Sequence, residues 1–93
     1  MFRISDSTGP LQVTQVATGS QINKSLLASD DVFLLDIASA IYVWVGKNAS
    51  ALEKKSGLQI ATNYLVQHQL AASTPISRIL DGGVNAEFYQ YLV

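Results

Sequence analysis

The stretch VFLLDIASAIYVWV, residues 32–45, decides the fold, because it holds two apolar runs separated by a short linker. Residues 32–35 and 41–45 are almost continuously apolar and rich in β-branched and aromatic side chains. This composition is typical of strands that are covered on both faces. The linker at residues 37–40 is short, which favours an antiparallel pair. A sheet with such central strands needs a layer on each face, and the only candidates are helices later in the chain.

The first of these helices is predicted at residues 50–69, after a break at residues 46–48. A rotation of about 100° per residue places half of its surface against the sheet. That half consists of Glu53, Gly57, Leu58, Ile60, Ala61, Tyr64, Leu65 and His68. The opposite half is polar, with Leu52 and Val66 as two apolar exceptions.

The remaining elements are shorter. A hairpin is predicted from residues 1–4 and 11–16, which flank a turn-rich segment. In its second strand, residues 11 and 13 lie on one face and residues 12 and 14 on the other. A loop is predicted at residues 17–29. A further strand is predicted at residues 76–80. A short helix is predicted at residues 86–92, with its cap near Asn85. This helix places Phe88, Tyr91 and Leu92 on the sheet face opposite the long helix. The sequence therefore predicts a single α+β domain, residues 1–93, with a mixed or antiparallel sheet of about five strands between one long and one short helix.

Composition excludes several classes of function. The chain has 93 residues, 48% of them hydrophobic and 14% charged, with a net charge of −1, so it offers no basic field for nucleic acid or anionic lipid. No apolar run reaches the roughly 18–20 residues of a membrane span, and the amino end lacks a signal-peptide core. The chain has no cysteine, which is compatible with a cytosolic compartment and also with a secreted chain that has no disulfide.

No catalytic motif is complete. Gly46-Lys47 lacks the upstream glycine and the following hydroxyl residue of a phosphate loop. His68 falls on the sheet-facing half of the helix, which predicts a partly buried, hydrogen-bonded side chain rather than a member of a triad. Lys54-Lys55 is interpreted as a solvated helix edge. An enzyme is therefore not expected.

Three acidic residues form the clearest polar constellation. Asp30 and Asp31 precede a buried strand, and Glu53 lies in the first turn of the long helix. A hard cation such as Ca²⁺ takes several oxygen ligands, and these residues could supply part of such a shell. Two structural interpretations stay open: Ser50 and Glu53 also form a capping box, and the two aspartates are also common turn residues.

Residues 30–36, 41–50 and 53–55 resemble the gelsolin-homology repeat of gelsolin, villin, severin and fragmin. The resemblance extends to residues 2–6 with Gly9, and to residues 81–83 and 87–88, and it is strongest to a third or sixth repeat. Members of this family sever and cap actin filaments under calcium control. Their repeat is a sheet between one long and one short helix, the same architecture that the layer argument predicts.

The resemblance implies particular site residues. For Ca²⁺ it implies the carboxylate of Asp31, the backbone carbonyl of Asp30 and the carboxylate of Glu53. For actin it implies the exposed face of the long helix, here Leu52, Gln59, Thr62, Asn63 and Val66. Some repeats share a second Ca²⁺ with actin through an acidic residue about twelve positions after the glutamate; Leu65 stands there in this chain.

The resulting expectation is a cytoplasmic, cytoskeletal, calcium-binding module that regulates actin by binding the monomer or a filament end. The alternative is an internal repeat of a longer severing or capping protein that packs on sibling repeats and touches actin little. Met1 falls at the expected start of the repeat, which suits either a natural single-domain protein or one repeat excised from a longer chain. A single domain is not expected to sever filaments by itself.

Overall fold

The computed structural model describes residues 1–6, 9–18, 22, 24–37, 39–70, 73–83 and 86–92. Its strands are β1 (Phe2–Ser5), β2 (Gln12–Gln15), β3 (Val32–Asp36), β4 (Ile41–Val45) and β5 (Ile76–Leu80). Helix α1 spans Ala51–Gln67, helix α2 spans Ala86–Tyr89, and a 3₁₀ turn lies at Lys24–Leu26.

The five strands form one mixed sheet in the order β2-β1-β3-β4-β5. The pairs β1–β2, β1–β3 and β3–β4 are antiparallel, with Val32 opposite Val45, whereas β4 and β5 are parallel. A parallel pair needs a long crossover connection, and α1 supplies it. The hairpin and the antiparallel central pair predicted from the sequence are confirmed.

Alternation along the two central strands divides the core into two layers. Val32 and Leu34 of β3, together with the odd-numbered residues of β4, pack under α1. Phe33 and Leu35 join the aromatic residues of β4 on the other face, where Phe88 and Leu92 cover them. The rings of Phe33 and Trp44 meet edge to face with centroids 5.8 Å apart. The predicted sheet between a long and a short helix is confirmed.

Helix α1 lies close to the sheet because its contact point is a glycine. A Cβ atom at Gly57 would stand 3.2 Å from a methyl group of Val32 and 3.2 Å from one of Val43. A larger side chain would have to push the helix away from both strands. A second glycine, Gly46, allows the end of β4 to pass the carbonyl oxygens of Ser29 and Asp31, which a Cβ would overlap.

The structure corrects several predicted boundaries. Helix α1 ends at Gln67 instead of residue 69, because Gln69 has a positive φ of 56° and Leu70 N–H donates to the Leu65 carbonyl at 2.9 Å. This is the hydrogen-bond pattern of a helix terminated by a left-handed residue. Helix α2 ends at Tyr89, and turns carry the chain on to Leu92. The predicted cap, Asn85, lies outside the described residues.

Strand β2 is more exposed than predicted. All four of its residues, Gln12–Gln15, are exposed, although alternation predicted one covered face. The strand is the outermost of the sheet, so neither face is fully covered. None of the helices in the described residues has the length and apolar character of a membrane-spanning segment.

Candidate functional site

The first turn of α1 is closed by a capping box. Ser50 is the N-cap, and its Oγ accepts a hydrogen bond from Glu53 N–H at 3.0 Å. In return, Glu53 Oε1 accepts from Ser50 N–H at 2.7 Å. The reciprocal bonds satisfy two backbone donors that a helix otherwise leaves unpaired. The capping interpretation of Glu53 is therefore confirmed.

The same carboxylate also fastens the helix to the sheet. Glu53 is only 1% exposed, and its Oε2 accepts from the backbone N–H of Asp6, just after β1, at 3.0 Å. The Asp6 carboxylate in turn accepts from Ser50 Oγ at 2.7 Å. We refer to Asp6, Ser50 and Glu53 as the helix anchor. The capping residues are visible as a sequence motif, but Asp6 is 47 residues from Glu53 and no local signal connects them.

The two aspartates before β3 have other partners. Asp30 is exposed, whereas Asp31 is buried. The Asp31 carboxylate lies 3.9 Å from Arg3 Nε, and its backbone carbonyl accepts from Gly46 N–H at 3.0 Å. Arg3 stands opposite Phe33, on the α2 side of the sheet. Since Val32 points towards α1, its neighbour Asp31 points to the side where Arg3 lies.

The residues predicted to hold calcium are thus placed near one end of the sheet, but their carboxylates turn to different partners. Glu53 binds backbone N–H groups, and Asp31 faces a guanidinium group. Among the described residues, no three acidic or histidine side chains form a group that could hold a metal ion. In this arrangement Asp30, Asp31 and Glu53 do not make a coordination shell, and calcium binding stays a prediction.

The outward face of α1 carries the residues predicted to contact actin. Val66 is 75% exposed and Leu52 is 50% exposed. Between them lie three exposed polar residues, Gln59, Thr62 and Asn63. Gln59 Nε2 donates to Asn63 Oδ1 at 3.1 Å, and Thr62 Oγ1 donates to the Leu58 carbonyl at 3.0 Å. Each of these three side chains therefore has one hydrogen bond within the helix, and the remaining amide groups of Gln59 and Asn63 are available to a partner.

Two side chains of α1 lie elsewhere than predicted. Leu58, predicted against the sheet, is 46% exposed and lies beside Thr62 at the margin of the outward face. His68, predicted to be partly buried, is exposed just beyond the last helical residue. Its ring stacks on Tyr64 with centroids 4.0 Å apart. The buried stripe of α1 is narrow, consisting of Glu53, Gly57, Ala61 and Leu65.

Tyr64 attaches the C-terminal part of α1, far from the helix anchor, to the sheet. Its hydroxyl donates to Asp36 Oδ2 at 2.7 Å, and its ring meets Phe2 edge to face with centroids 5.4 Å apart. Burial, reinforced by the Asp36 carboxylate, raises the pKa of Tyr64 to about 12. A groove of about 340 Å³ beside it is lined by Phe2, Val13, Ile60, Asn63, Tyr64, Gln67 and His68.

A comparison with known protein families identifies the class. The Gelsolin repeat family matches residues 13–89. The chain is 33% identical over 93 residues to human macrophage-capping protein, covering 98% of this chain and 27% of that protein. It is 34% identical over 92 residues to gelsolin-like protein 1 of Caenorhabditis elegans, covering 98% of this chain and 19% of that protein. The chain belongs to the gelsolin family.

A solved structure agrees with this assignment. The Thorarchaeota protein 2DGel3, crystallised in complex with rabbit actin, matches 99% of this chain with a TM-score of 0.81 and 31% identity, over 44% of its own length. Membership of a family of actin-binding structural proteins supports the prediction that the chain is not an enzyme. The resemblance to a third or sixth repeat stays a prediction.

Proposed function

We propose that this domain binds actin through the outward face of α1 and thereby regulates filament assembly. The observation that carries the proposal is the helix face itself. All five predicted residues, Leu52, Gln59, Thr62, Asn63 and Val66, are exposed there together. The similarity to a protein crystallised with rabbit actin supports the same partner.

The face suits insertion into an apolar cleft. Leu52 and Val66 lie on it and Leu58 lies at its margin, and burying such side chains contributes about 25 cal/mol per Å² of apolar area. The helix anchor at one end and the bond from Tyr64 to Asp36 at the other hold α1 in place before a partner arrives. A face that is already ordered loses less entropy on binding. We expect a single domain of this kind to bind a monomer or a filament end, in the cytoplasm with the actin cytoskeleton.

The experiment is an actin assembly assay with the domain in excess, comparing Val66→Asp with Thr14→Asp. Both positions are exposed and both variants gain one negative charge, but Thr14 lies on β2 opposite Arg3, on the face of the sheet away from α1. We expect the wild type and Thr14→Asp to suppress assembly, and Val66→Asp to lose most of this activity. Equal loss in the two variants, with both still folded by thermal denaturation, would contradict binding through α1.

The second candidate function is that of an internal repeat packing on sibling repeats. It is favoured by one observation: the chain spans only 27% and 19% of the two relatives described above. The same assay separates the candidates. If the wild-type domain has no effect on actin at any ratio, the accessory repeat becomes the better proposal.

Calcium binding at Asp30, Asp31 and Glu53 is part of the proposal. It requires the Asp31 carboxylate to leave Arg3, and Glu53 to give up an amide partner, so the site would form only with local rearrangement. We expect calcium, relative to chelator, to raise the Tm of the wild type, but not that of an Asp31→Asn, Glu53→Gln variant. An Asp36→Asn variant, changed at the far end of β3, should keep the calcium response. An unchanged wild-type Tm across a calcium titration would argue against the site.

A further inference from the structure

We infer that the surface of the partner that covers α1 is acidic on the side next to β5. This inference rests on the proposed function and adds the chemistry of the partner. It begins with Lys54 and Lys55, which are exposed in the first two turns of α1. The only salt bridge found among the described residues joins Arg3 to Asp31, so neither lysine is neutralised by a carboxylate there.

The fold adds a third cation to this pair. Arg78 is exposed and stands opposite Val43 in the parallel pairing of β4 with β5. Val43 packs under α1, so Arg78 lies on the α1 side of the sheet. The flank of α1 that carries Ile60 and Tyr64 meets the β1–β2 side, since both residues line the groove with Phe2. The opposite flank, which begins with Lys54, therefore faces β5 and Arg78.

The acidic residues near α1 do not pair with these cations, because their carboxylates are turned to other partners. Glu53 and Asp6 take part in the helix anchor, and Asp36 accepts from Tyr64. Asp81, just after β5, lies beside Lys47 and accepts from its backbone N–H at 3.2 Å. The exposed charged side chains described on this side of the domain, Lys54, Lys55 and Arg78, are therefore all cations.

Apolar residues accompany these cations. Leu58 is 46% exposed on the same flank of α1, four residues after Lys54. Leu80 is 57% exposed and stands opposite Val45, which places it on the α1 side of β5. A complementary partner therefore presents carboxylates beside an apolar ridge. Complementary charge of this kind mainly accelerates association and selects the orientation of docking.

The test measures the rate constants for binding of actin monomers by stopped-flow at several salt concentrations. The test variant is Lys54→Gln, Lys55→Gln; the control is Gln12→Glu, Thr14→Glu, on the opposite edge strand β2 and on its face away from α1. Both variants make the net charge more negative by the same amount, and all four positions are exposed. We expect the lysine variant to associate on the order of 10-fold more slowly at low salt, with a weaker salt dependence. We expect the control to stay within about twofold of the wild type, since its charges lie away from the interface.

The outcomes separate the inference from the proposed function. If the wild type binds actin but the lysine variant associates as fast as the control, the inference is wrong and binding through α1 stands. If the association rate of the wild type does not change with salt, the inference is also wrong, and binding through α1 again stands. If the wild type does not bind actin, both fail. A Tm within a few degrees of the wild type establishes that each variant is folded.

Discussion

The two faces of α1 differ in a way that hydrophobicity does not predict. The buried face consists of Glu53, Gly57, Ala61 and Leu65, of which only the last is large and apolar, with Ile60 and Tyr64 partly buried beside it. The outward face and its margin carry three exposed large apolar residues, Leu52, Leu58 and Val66. A helix usually turns its large apolar side chains inward. Here two of the four buried residues are Gly and Ala, and three large apolar side chains are exposed.

Close approach explains the buried face. Gly57 lets the helix backbone reach the methyl groups of Val32 and Val43, so the sheet supplies the apolar surface that the helix lacks. The outward face is left free to carry apolar residues that the core does not need. Exposed apolar residues clustered on one element commonly mark an interaction site. The contrast therefore separates the face that packs on the sheet from the face that we propose contacts a partner.

The largest loss of stability is expected from a large side chain on the buried face of α1. Gly57→Leu places a large side chain where even a Cβ atom is 3.2 Å from two valine methyl groups. We expect the free energy of unfolding to fall by about 3 kcal/mol, as overpacking forces the helix away from the sheet. Urea denaturation measures the change, and Gln59→Leu on the exposed face serves as the control, with a change within about 0.5 kcal/mol. Similar losses in both variants would contradict the distinction between the two faces.

A smaller loss of stability is expected from removing the buried carboxylate of Glu53. Glu53→Ala deletes the acceptor for the N–H groups of Ser50 and Asp6. Loss of the cap and of two satisfied donors should cost about 2 kcal/mol. Lys54→Ala, one residue along but exposed, should cost less than about 0.5 kcal/mol. Hydrogen exchange adds a local test: the Asp6 amide should lose protection in Glu53→Ala, and unchanged protection there would refute the anchor.

The smallest loss of stability is expected from a change at Tyr64, near the C-terminal end of α1. Tyr64→Phe removes the hydrogen bond to Asp36, which should cost about 1 kcal/mol at neutral pH. Burial and the Asp36 carboxylate raise the pKa of Tyr64 from 10.0 to about 12. The unfolded chain therefore releases the phenolic proton first, and this stabilisation is lost as the pH rises from about 10 to about 12.

Thermal denaturation at alkaline pH measures this last effect. The Tm difference between the wild type and Tyr64→Phe should shrink as the pH rises through the folded-state pKa. Tyr91→Phe, at a tyrosine that is exposed, gives a matched control for the loss of one phenol group. A difference that stays constant across this range would show that folding does not raise the pKa of Tyr64.

The sequence predicted the sheet and its layers because the central strands carry an unmistakable pattern. Residues 32–35 and 41–45 are apolar on both faces, which requires two covering layers whatever the details of the loops. The capping box was also visible, since its partners are three residues apart. The outward actin-binding candidates were placed on one face because helical periodicity fixes which residues share a side.

The wrong predictions concern features that depend on contacts distant in sequence or on the width of the contact between α1 and the sheet. Periodicity alone could not show that the buried stripe of α1 is narrow, and so it placed Leu58 and His68 against the sheet. The early end of the helix depends on the backbone of Gln69, whose left-handed conformation is unusual for a residue other than glycine. The side to which Asp31 points depends on strand register, which placed its carboxylate next to Arg3.

The sequence by itself determined the architecture and the residues of the outward helix face, because these follow from local periodicity and spacing along the chain. The family resemblance was also visible in the sequence, through the identity of its motif residues. Only the tertiary structure decided what the charged groups do. Asp6 and Glu53 meet across 47 residues, and the register of β4 with β5 places Arg78 on the α1 side of the sheet. The contact between Asp6 and Glu53 depends on how close α1 lies to the sheet, and that distance is set by packing at Gly57.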